Sequence, residues 1–271
     1  MTITRAVVIA AGRGKRLGNH TDELPKTLVP VGARSILGWQ MRAFAAAGID
    51  ELVIIRGYRG DVLEAGARAE APAGMRLTFV DNPEWETNNI LLSLACARAH
   101  LEGPALVTYS DIIFTPPVVR ALVAAPGSID LVIDADFRAI YVGRTLHPLE
   151  EGEVSDLDDL GRVKRVGKKA LPPDDAHGEF IGLLKVDAAG MAVVARTMDA
   201  AIARYAGRDG EPYQRAARFR NAYLTDLLQE IIEAGHPVTP VTIHGQWREI
   251  DTGQDLDRAV ELVESQPEEW T

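Results

Sequence analysis

A chain of 271 residues, 46% of them hydrophobic, has ample apolar side chains for a buried core; this excludes global disorder and suits one large α/β domain or two small ones. Its formal charge of −10 argues against non-specific nucleic-acid binding, which needs a basic surplus, so a small anionic ligand would have to be met by local cations. The one cysteine, Cys96, excludes a disulfide framework and a cysteine-rich zinc site, and points to a reducing, cytoplasmic setting.

The elements alternate through the first half of the chain. Strands are predicted over 5–10, 51–55, 76–80, 104–109 and 130–134, with helices near 35–47, 60–69, 88–101 and 116–124, the first carrying Leu37, Met41 and Phe44 at helical spacing. Cys96 reads as a small buried filler of the third helix. Such alternation implies right-handed crossovers and a mostly parallel sheet with helices on both faces. Ligands bind such sheets beyond the carboxyl ends of the strands, which gathers residues 11–26, 81–89, 110–114 and 135–138 at one mouth.

The second half breaks this rhythm. Residues 138–186 hold charged, turn-rich stretches around the short strand-like pieces RVKRVG and FIGLLKV, and are expected to form an antiparallel insertion beside the main sheet. The acids at 150–159 read as a solvated loop. Helices follow near 188–206 and 221–234, then a strand at 238–243 and the closing WREIDTGQDLDRAVELV. The whole is expected to be a single domain, 1–271. The opening MTITRAVVIAAGRG has too short an apolar core for a signal peptide, and no run reaches the ~18 apolar residues of a membrane span.

The first strand runs into AAGRGKRLG, residues 10–18. A dinucleotide fingerprint needs a third glycine where Leu17 stands, and an acid ending the second strand where Arg56-Gly57 stands. A Walker A loop lacks its earlier glycine. What remains is a long loop with two glycines whose backbone N–H groups can turn to an anion, and with Arg13, Lys15, Arg16 and Lys26 to neutralise a triphosphate.

The stretch VVIAAGRGKRLGNHTDELPKTLVPVGARSIL resembles the signature of the sugar-phosphate nucleotidyltransferase family, with Ala10, Ala11, Gly12, Gly14, Arg16, Pro25, Lys26, Val31, Gly32 and Leu37 matching in order. The resemblance implies a Rossmann-like sheet of the nucleotide-diphospho-sugar transferase type. It also implies transfer of a nucleoside monophosphate to a phosphate-type oxygen with release of pyrophosphate. By that resemblance, Ala10 belongs to the nucleotide site, the Ala11 and Gly12 backbone meets the base or ribose, Arg13, Gly14 and Arg16 hold the leaving phosphates, and Lys26 bridges the attacking and α-phosphate oxygens. The family's two metal aspartates fall on Asp111 and Asp251, which would hold Mg²⁺, an ion that prefers oxygen ligands. Each is also a plausible helix cap.

The segment DNPEWETNNILLSL resembles the cytidylyltransferase branch, which makes CTP the expected donor. Asn88 and Ser110 are expected at the nucleotide, with Asn88 or Asn89 capping the following helix. Residues 134–148 and 177–186 resemble enzymes that activate phosphonates, so a small phosphonate or phosphate monoester is the expected acceptor, 2-aminoethylphosphonate foremost. Arg138 and Arg144 would grip its anion, although Arg144 reads equally as a salt-bridge partner of nearby acids. Glu179 would face an acceptor ammonium or pair with a lysine, and Trp247, with Phe137, Tyr141 and Phe180, is a candidate for the aromatic cage that a trimethylammonium acceptor would need. Phosphocholine, inositol-1-phosphate and sugar-1-phosphate acceptors stay open as alternatives. A nucleotide-binding regulatory module is disfavoured because a pure binder would not need Lys26, Asp111 and Asp251 together. A homodimer is left open. No general base is needed, since the acceptor oxygen is already ionised, and His147 and His177 lack the companion spacing of a zinc site.

Overall fold

In the computed structural model, which describes residues 3–270, nine strands form the principal sheet. In chain order they are β1 (Arg5–Ala10), β2 (Glu51–Arg56), β3 (Arg76–Asp81), β4 (Ala105–Tyr109), β5 (Ile129–Asp134), β6 (Glu153–Leu157), β7 (Val163–Lys168), β8 (Gly178–Val186) and β9 (Thr239–Ile243). The long helices are α1 (Ile36–Ala46), α2 (Gly60–Glu70), α3 (Ile90–Cys96), α4 (Pro116–Ala124), α5 (Ala188–Tyr205), α6 (Leu224–Glu233) and α7 (Gly253–Ser265).

Strands β3, β2, β1 and β4 lie side by side and parallel, as do β5 and β9. The continuous apolar runs of β1 and β2 follow from burial on both faces. Val7, Ile9, Val53 and Ile55 pack against the layer of α3, α5 and α6, while Ala6, Val8, Leu52 and Ile54 pack against α1, α2 and α4. A third cluster joins α7 to α1, with Trp39 and Trp270 edge to face at 6.0 Å between ring centres. Helix starts carry local signals: Ser35 accepts from the Gly38 N–H at 3.0 Å, and Asp187 from the Gly190 N–H at 2.8 Å.

Several sequence expectations are revised by the structure. The 138–186 segment does not stand wholly beside the sheet, because β8 runs through it, antiparallel to β4 on one side and β5 on the other. Only the β6–β7 hairpin extends the sheet outward, β6 joining the first residues of β8. An antiparallel strand begins where its neighbours end, so the start of β8 occupies the mouth expected for residues 135–138 and displaces them from it. The helix expected over 88–101 is also shorter, breaking at Ala97 into a 3-10 turn, Arg98–His100, and Cys96 is half-buried rather than enclosed.

Candidate active site

A cleft of about 380 Å³ opens beyond the ends of β1 and β4. Its first wall is the glycine loop. Ala10 ends β1 buried, behind the wall, while Ala11, Gly12 and Gly14 line the cleft. Gly14 has φ +72°, and a Cβ there would lie 2.7 Å from the Lys26 side chain, so only glycine both makes this turn and lets the lysine stem pass. Leu17, where a dinucleotide fold would have glycine, is buried against Val29, Ile36 and Ile250. Lys15 and Arg16 reach the cleft. Arg13 is not on its wall, since its guanidinium pairs with Asp22 at 2.9 Å and lies over the Tyr58 ring.

Lys26 is buried and bridges the two aspartates, its Nζ donating to Asp111 Oδ2 at 3.0 Å and to Asp251 Oδ1. Burial alone would lower its pKa, but the charges of Asp111 and Asp251 outweigh that and hold it above the ordinary lysine value. Asp251 shows the converse: burial would raise its pKa, yet the Lys26 charge, assisted by His147 and Arg16, holds it well below the usual carboxylate range. Arg16 reaches Asp251 Oδ2 at 2.5 Å, and His147 Nδ1 lies 3.0 Å from the same oxygen. The aspartates meet because the short strands Ile112–Phe114 and Trp247–Glu249 pair antiparallel, and the Ile250 N–H donates to the Asp111 carbonyl at 2.8 Å. From α1, the fully buried Gln40 clamps this turn by donating to the carbonyls of Tyr109 and Ile112 at 2.8 and 2.7 Å.

Arg144 is not a free acceptor-binding group. Its enclosed guanidinium donates to both oxygens of Asp255, at 2.6 and 3.0 Å, and to Glu249 at 2.9 Å. Asp255 in turn accepts from the backbone N–H of Asp251 and Thr252, closing the capping box that starts α7. Arg144 thus braces the turn that presents Asp251. Arg144→Ala leaves Asp255 buried and unpaired, so it should cost about 3–5 kcal/mol of stability and lower turnover without changing which acceptor is preferred. Denaturant melts with an acceptor series check this; a changed preference would place Arg144 at the acceptor after all.

On the side toward β3, Asn88 lines the cleft, but its amide is half engaged in a reciprocal pair with the Asn82 amide, at 2.8 and 3.0 Å. One N–H and one lone pair remain on Asn88 for a ligand. Neither Asn88 nor Asn89 caps α3 through its side chain: Asn89 holds the cap position, yet its amide donates to the Asn221 carbonyl at 2.9 Å. Ser110 lines the cleft beside Asp111, and Trp85 adds a ring packed on Tyr58.

The remaining wall comes from β6, β7, the start of β8 and the Trp247–Glu249 strand. Glu179 and Trp247 are there as expected, the indole N–H donating to Asp134 at 2.8 Å. Arg138 is not: its guanidinium is spent on the carbonyls of Pro173, Asp174 and Ala176. In its place stand residues that sequence reasoning missed, among them Tyr109, Glu153, Lys168, Tyr223 and Glu249. Glu153 belongs to the acidic run 150–159, which reads as a solvated loop, but in the structure it is buried at the start of β6.

Burial, opposed by the charge of Lys168, pushes the Glu153 carboxyl up to about 7; burial and the charge of Glu249 push Glu179 up to about 8. Both folded values exceed the ordinary 4.5, so between those limits the native state binds more protons than the unfolded chain. The stability the protonated forms contribute is present below pH 4.5 and lost as pH rises through about 7 and 8. Glu179→Gln keeps an acceptor for Tyr141 and cannot ionise, so its melting temperature should gain on that of the parent protein from pH 5 to pH 8.5. A constant difference across that range would refute the shift.

Asp111 Oδ1 is buried without a hydrogen-bond partner among the described residues, and the two carboxylates already share one ammonium. An oxygen-donor pair around a cation seat fits Mg²⁺. His147, Glu249 and Asp251 also group closely, but Arg144 already supplies a fixed cation there, 3.1 Å from His147 Nδ1.

The profile of the MobA-like NTP transferase domain matches residues 6–164, more than half of the chain and the whole of the glycine-loop, Lys26 and Asp111 side of this cleft. The chain belongs to that nucleotidyltransferase family. Over 262 residues it is 28% identical to the CTP:phosphoglutamine cytidylyltransferase of Campylobacter jejuni, covering 94% of this chain and 99% of that one. It is 36% identical over 145 residues, 54% of this chain and 22% of the other, to the CMP-5'-(3-aminopropyl)phosphonate synthase of Streptomyces rubellomurinus. The structure of the CTP:phosphocholine cytidylyltransferase of Streptococcus pneumoniae superposes with a TM-score of 0.72 at 20% identity, covering 97% of this chain and 100% of that one, a likeness of fold. Among the described residues of this nucleotidyltransferase no helix is long and apolar enough to cross a membrane.

Proposed function

We propose that the protein transfers CMP from CTP to a small phosphate or phosphonate monoester and releases pyrophosphate, with 2-aminoethylphosphonate the foremost acceptor. The observation that carries this is Lys26 held between Asp111 and Asp251, with Arg16 on Asp251 and the glycine loop alongside. Relatives named as cytidylyltransferases of phosphoglutamine, aminopropylphosphonate and, at 26% identity, aminoethylphosphonate in Lancefieldella rimae support a cytidylyltransferase acting on phosphates or phosphonates.

In this reading the α-phosphorus is displaced in line, and charge accumulates on oxygens rather than on protein atoms, so positioning and electrostatics do the work. Lys26 moves from its aspartates to the oxygens joining acceptor and α-phosphate. Arg16, Lys15 and the N–H groups around Gly12 and Gly14 hold the leaving phosphates. Asn88 offers its remaining donor and acceptor to the cytosine or ribose, beside Ser110. Asp111 and Asp251 would hold Mg²⁺, which supplies further neutralisation of phosphate charge. The segment around 138–186 contributes the acceptor wall through Glu153, Lys168 and Glu179.

The test is pyrophosphate release with CTP, UTP, ATP and GTP against 2-aminoethylphosphonate, phosphocholine, inositol-1-phosphate and glucose-1-phosphate, with and without Mg²⁺. Release only from CTP, with Mg²⁺ and a phosphonate or phosphomonoester present, is the expected result. Activity confined to a hexose-1-phosphate with UTP would overturn it.

A further inference from the structure

Between β3 and α3 lies a hydrogen-bonded cluster whose polarity is set by the backbone. Asn82, directly after β3, is 1% exposed. Its Oδ1 accepts from the Glu84 backbone N–H at 3.0 Å, and because that donor cannot be reversed, the Asn82 amide has a single orientation. The same oxygen accepts from Asn88 Nδ2 at 3.0 Å. The Asn82 nitrogen spends one hydrogen on Asn88 Oδ1 and the other on Ser93 Oγ, both at 2.8 Å. Both hydrogens and both lone pairs of this buried amide are thereby used.

The consequence falls on the cleft, where Asn88 and Ser93 form part of the wall beside Trp85. Their oxygens share the Asn82 nitrogen as donor, so Ser93 Oγ and Asn88 Oδ1 stand side by side. Having accepted from Asn82, Ser93 keeps its hydroxyl hydrogen, which meets no acceptor among the described residues. Asn88 cannot turn over without setting its own N–H against that of Asn82, so it keeps a lone pair on Oδ1. Asn89 does not alter the arrangement, its amide being turned to the Asn221 carbonyl. The wall therefore offers a donor next to a fixed acceptor. Pyrimidines differ at ring N3 and at the group on C4: cytosine presents an acceptor and then an amino donor, uracil a donor and then a carbonyl acceptor. Cytosine satisfies both wall groups, whereas uracil sets its O4 against the Asn88 oxygen and leaves each without a partner.

Resting on the cytidylyl-transfer reading, we infer that the Ser93 hydroxyl and Asn88 Oδ1 read N3 and the amino group of cytosine, and that Asn82 fixes this choice of base by passing the polarity of the Glu84 N–H to both. Ser93 and Asn88 touch the base; Asn82 is a positioning residue that does not meet it.

Calorimetric titration with CTP, UTP and 3-deaza-CTP, in which N3 is replaced by a C–H, tests it, each with Mg²⁺ and without an acceptor. The parent protein should bind CTP at least about a hundredfold more tightly than UTP, and about tenfold more tightly than 3-deaza-CTP. In Ser93→Ala, CTP and 3-deaza-CTP should bind alike. Asn82→Asp puts an acceptor where the shared donor stood, so Ser93 must donate inward and Asn88 loses its lock; the preference for CTP over UTP should fall below about tenfold. Melts confirm the fold of each variant, and if Asn82→Asp does not fold, the Ser93→Ala comparison decides. A merely structural role would weaken all three nucleotides alike, so unchanged ratios in the variants, or a tenfold gap between CTP and 3-deaza-CTP that persists in Ser93→Ala, would overturn the inference and leave the transfer reading standing. UTP bound as tightly as CTP by the parent would overturn the choice of cytidine and the inference together. No pyrophosphate release from CTP with any acceptor would overturn the transfer reading, a failure the binding ratios do not share.

Discussion

Replacing Asp251 by Ala should lower turnover about a thousandfold while leaving CTP binding and the fold largely in place. Its carboxylate touches Lys26, Arg16 and His147 at once, so in the proposed reaction it gathers the cations assigned to the phosphates before the nucleotide arrives. Without it Lys26 collapses onto Asp111 alone, and the oxygen pair that fits Mg²⁺ is halved. The turn itself should survive, because the Asp251 backbone N–H, not its side chain, bonds to Asp255. Asp111→Ala should behave alike, since it removes the other half of the pair. Pyrophosphate release measures the rate, calorimetric titration with CTP measures binding, and a thermal melt reports the fold. Turnover like that of the parent protein in either variant would take that residue out of the catalytic centre.

Lys26→Met should lower kcat about a hundredfold and weaken CTP binding far less, because the ammonium is assigned to oxygens whose charge grows during transfer. It carries a second consequence. Removing the shared cation leaves Asp111 and Asp251 facing each other, and breaking a buried pair of this kind costs roughly 3 kcal/mol or more, tempered here by the partial exposure of Asp111. The ligand-free variant should therefore melt well below the parent, and Mg²⁺ should restore part of the loss by taking the vacated seat. CTP binding lost while kcat is kept would contradict the placement of Lys26 at the α-phosphate. A variant as stable as the parent would show that its aspartates do not need it.

What could be read in advance was whatever depends on neighbours in the chain. The apolar runs of β1, β2 and β4 and the alternation with α1, α2 and α4 announced a parallel sheet, because burial on both faces imposes continuous hydrophobicity. The glycine loop was legible for a similar reason: Gly14 answers to a local backbone angle, and Leu17 excluded the dinucleotide reading by its type alone. Asp111 was placed at the cleft because it follows a strand end, and Asp251 by a resemblance that no local pattern would have supplied.

The acceptor side was harder, and the failures share a cause. Arg138 and Arg144 are the right kind of residue for an anion, but a guanidinium serves whatever carboxylate or carbonyl it meets first. Arg144 meets Asp255 and Glu249, and Arg138 meets the 173–176 turn. Glu153 lay in a stretch of acids, and nothing local distinguishes a solvated glutamate from one sealed against Tyr109.

The sequence by itself determined the fold class, the family and the glycine-loop wall of the cleft, because these rest on strand periodicity and on a motif contiguous in the chain. Only the tertiary structure decided which charges line the opposite wall. The antiparallel insertion of β8 between β4 and β5 brings Glu179 to the mouth and carries Arg138 away, and the pairing of Ile112–Phe114 with Trp247–Glu249 sets Asp111 beside Asp251. Side chains distant in sequence acquire their partners, and with them their charge states and free hydrogen-bonding capacity, only when such pairings close.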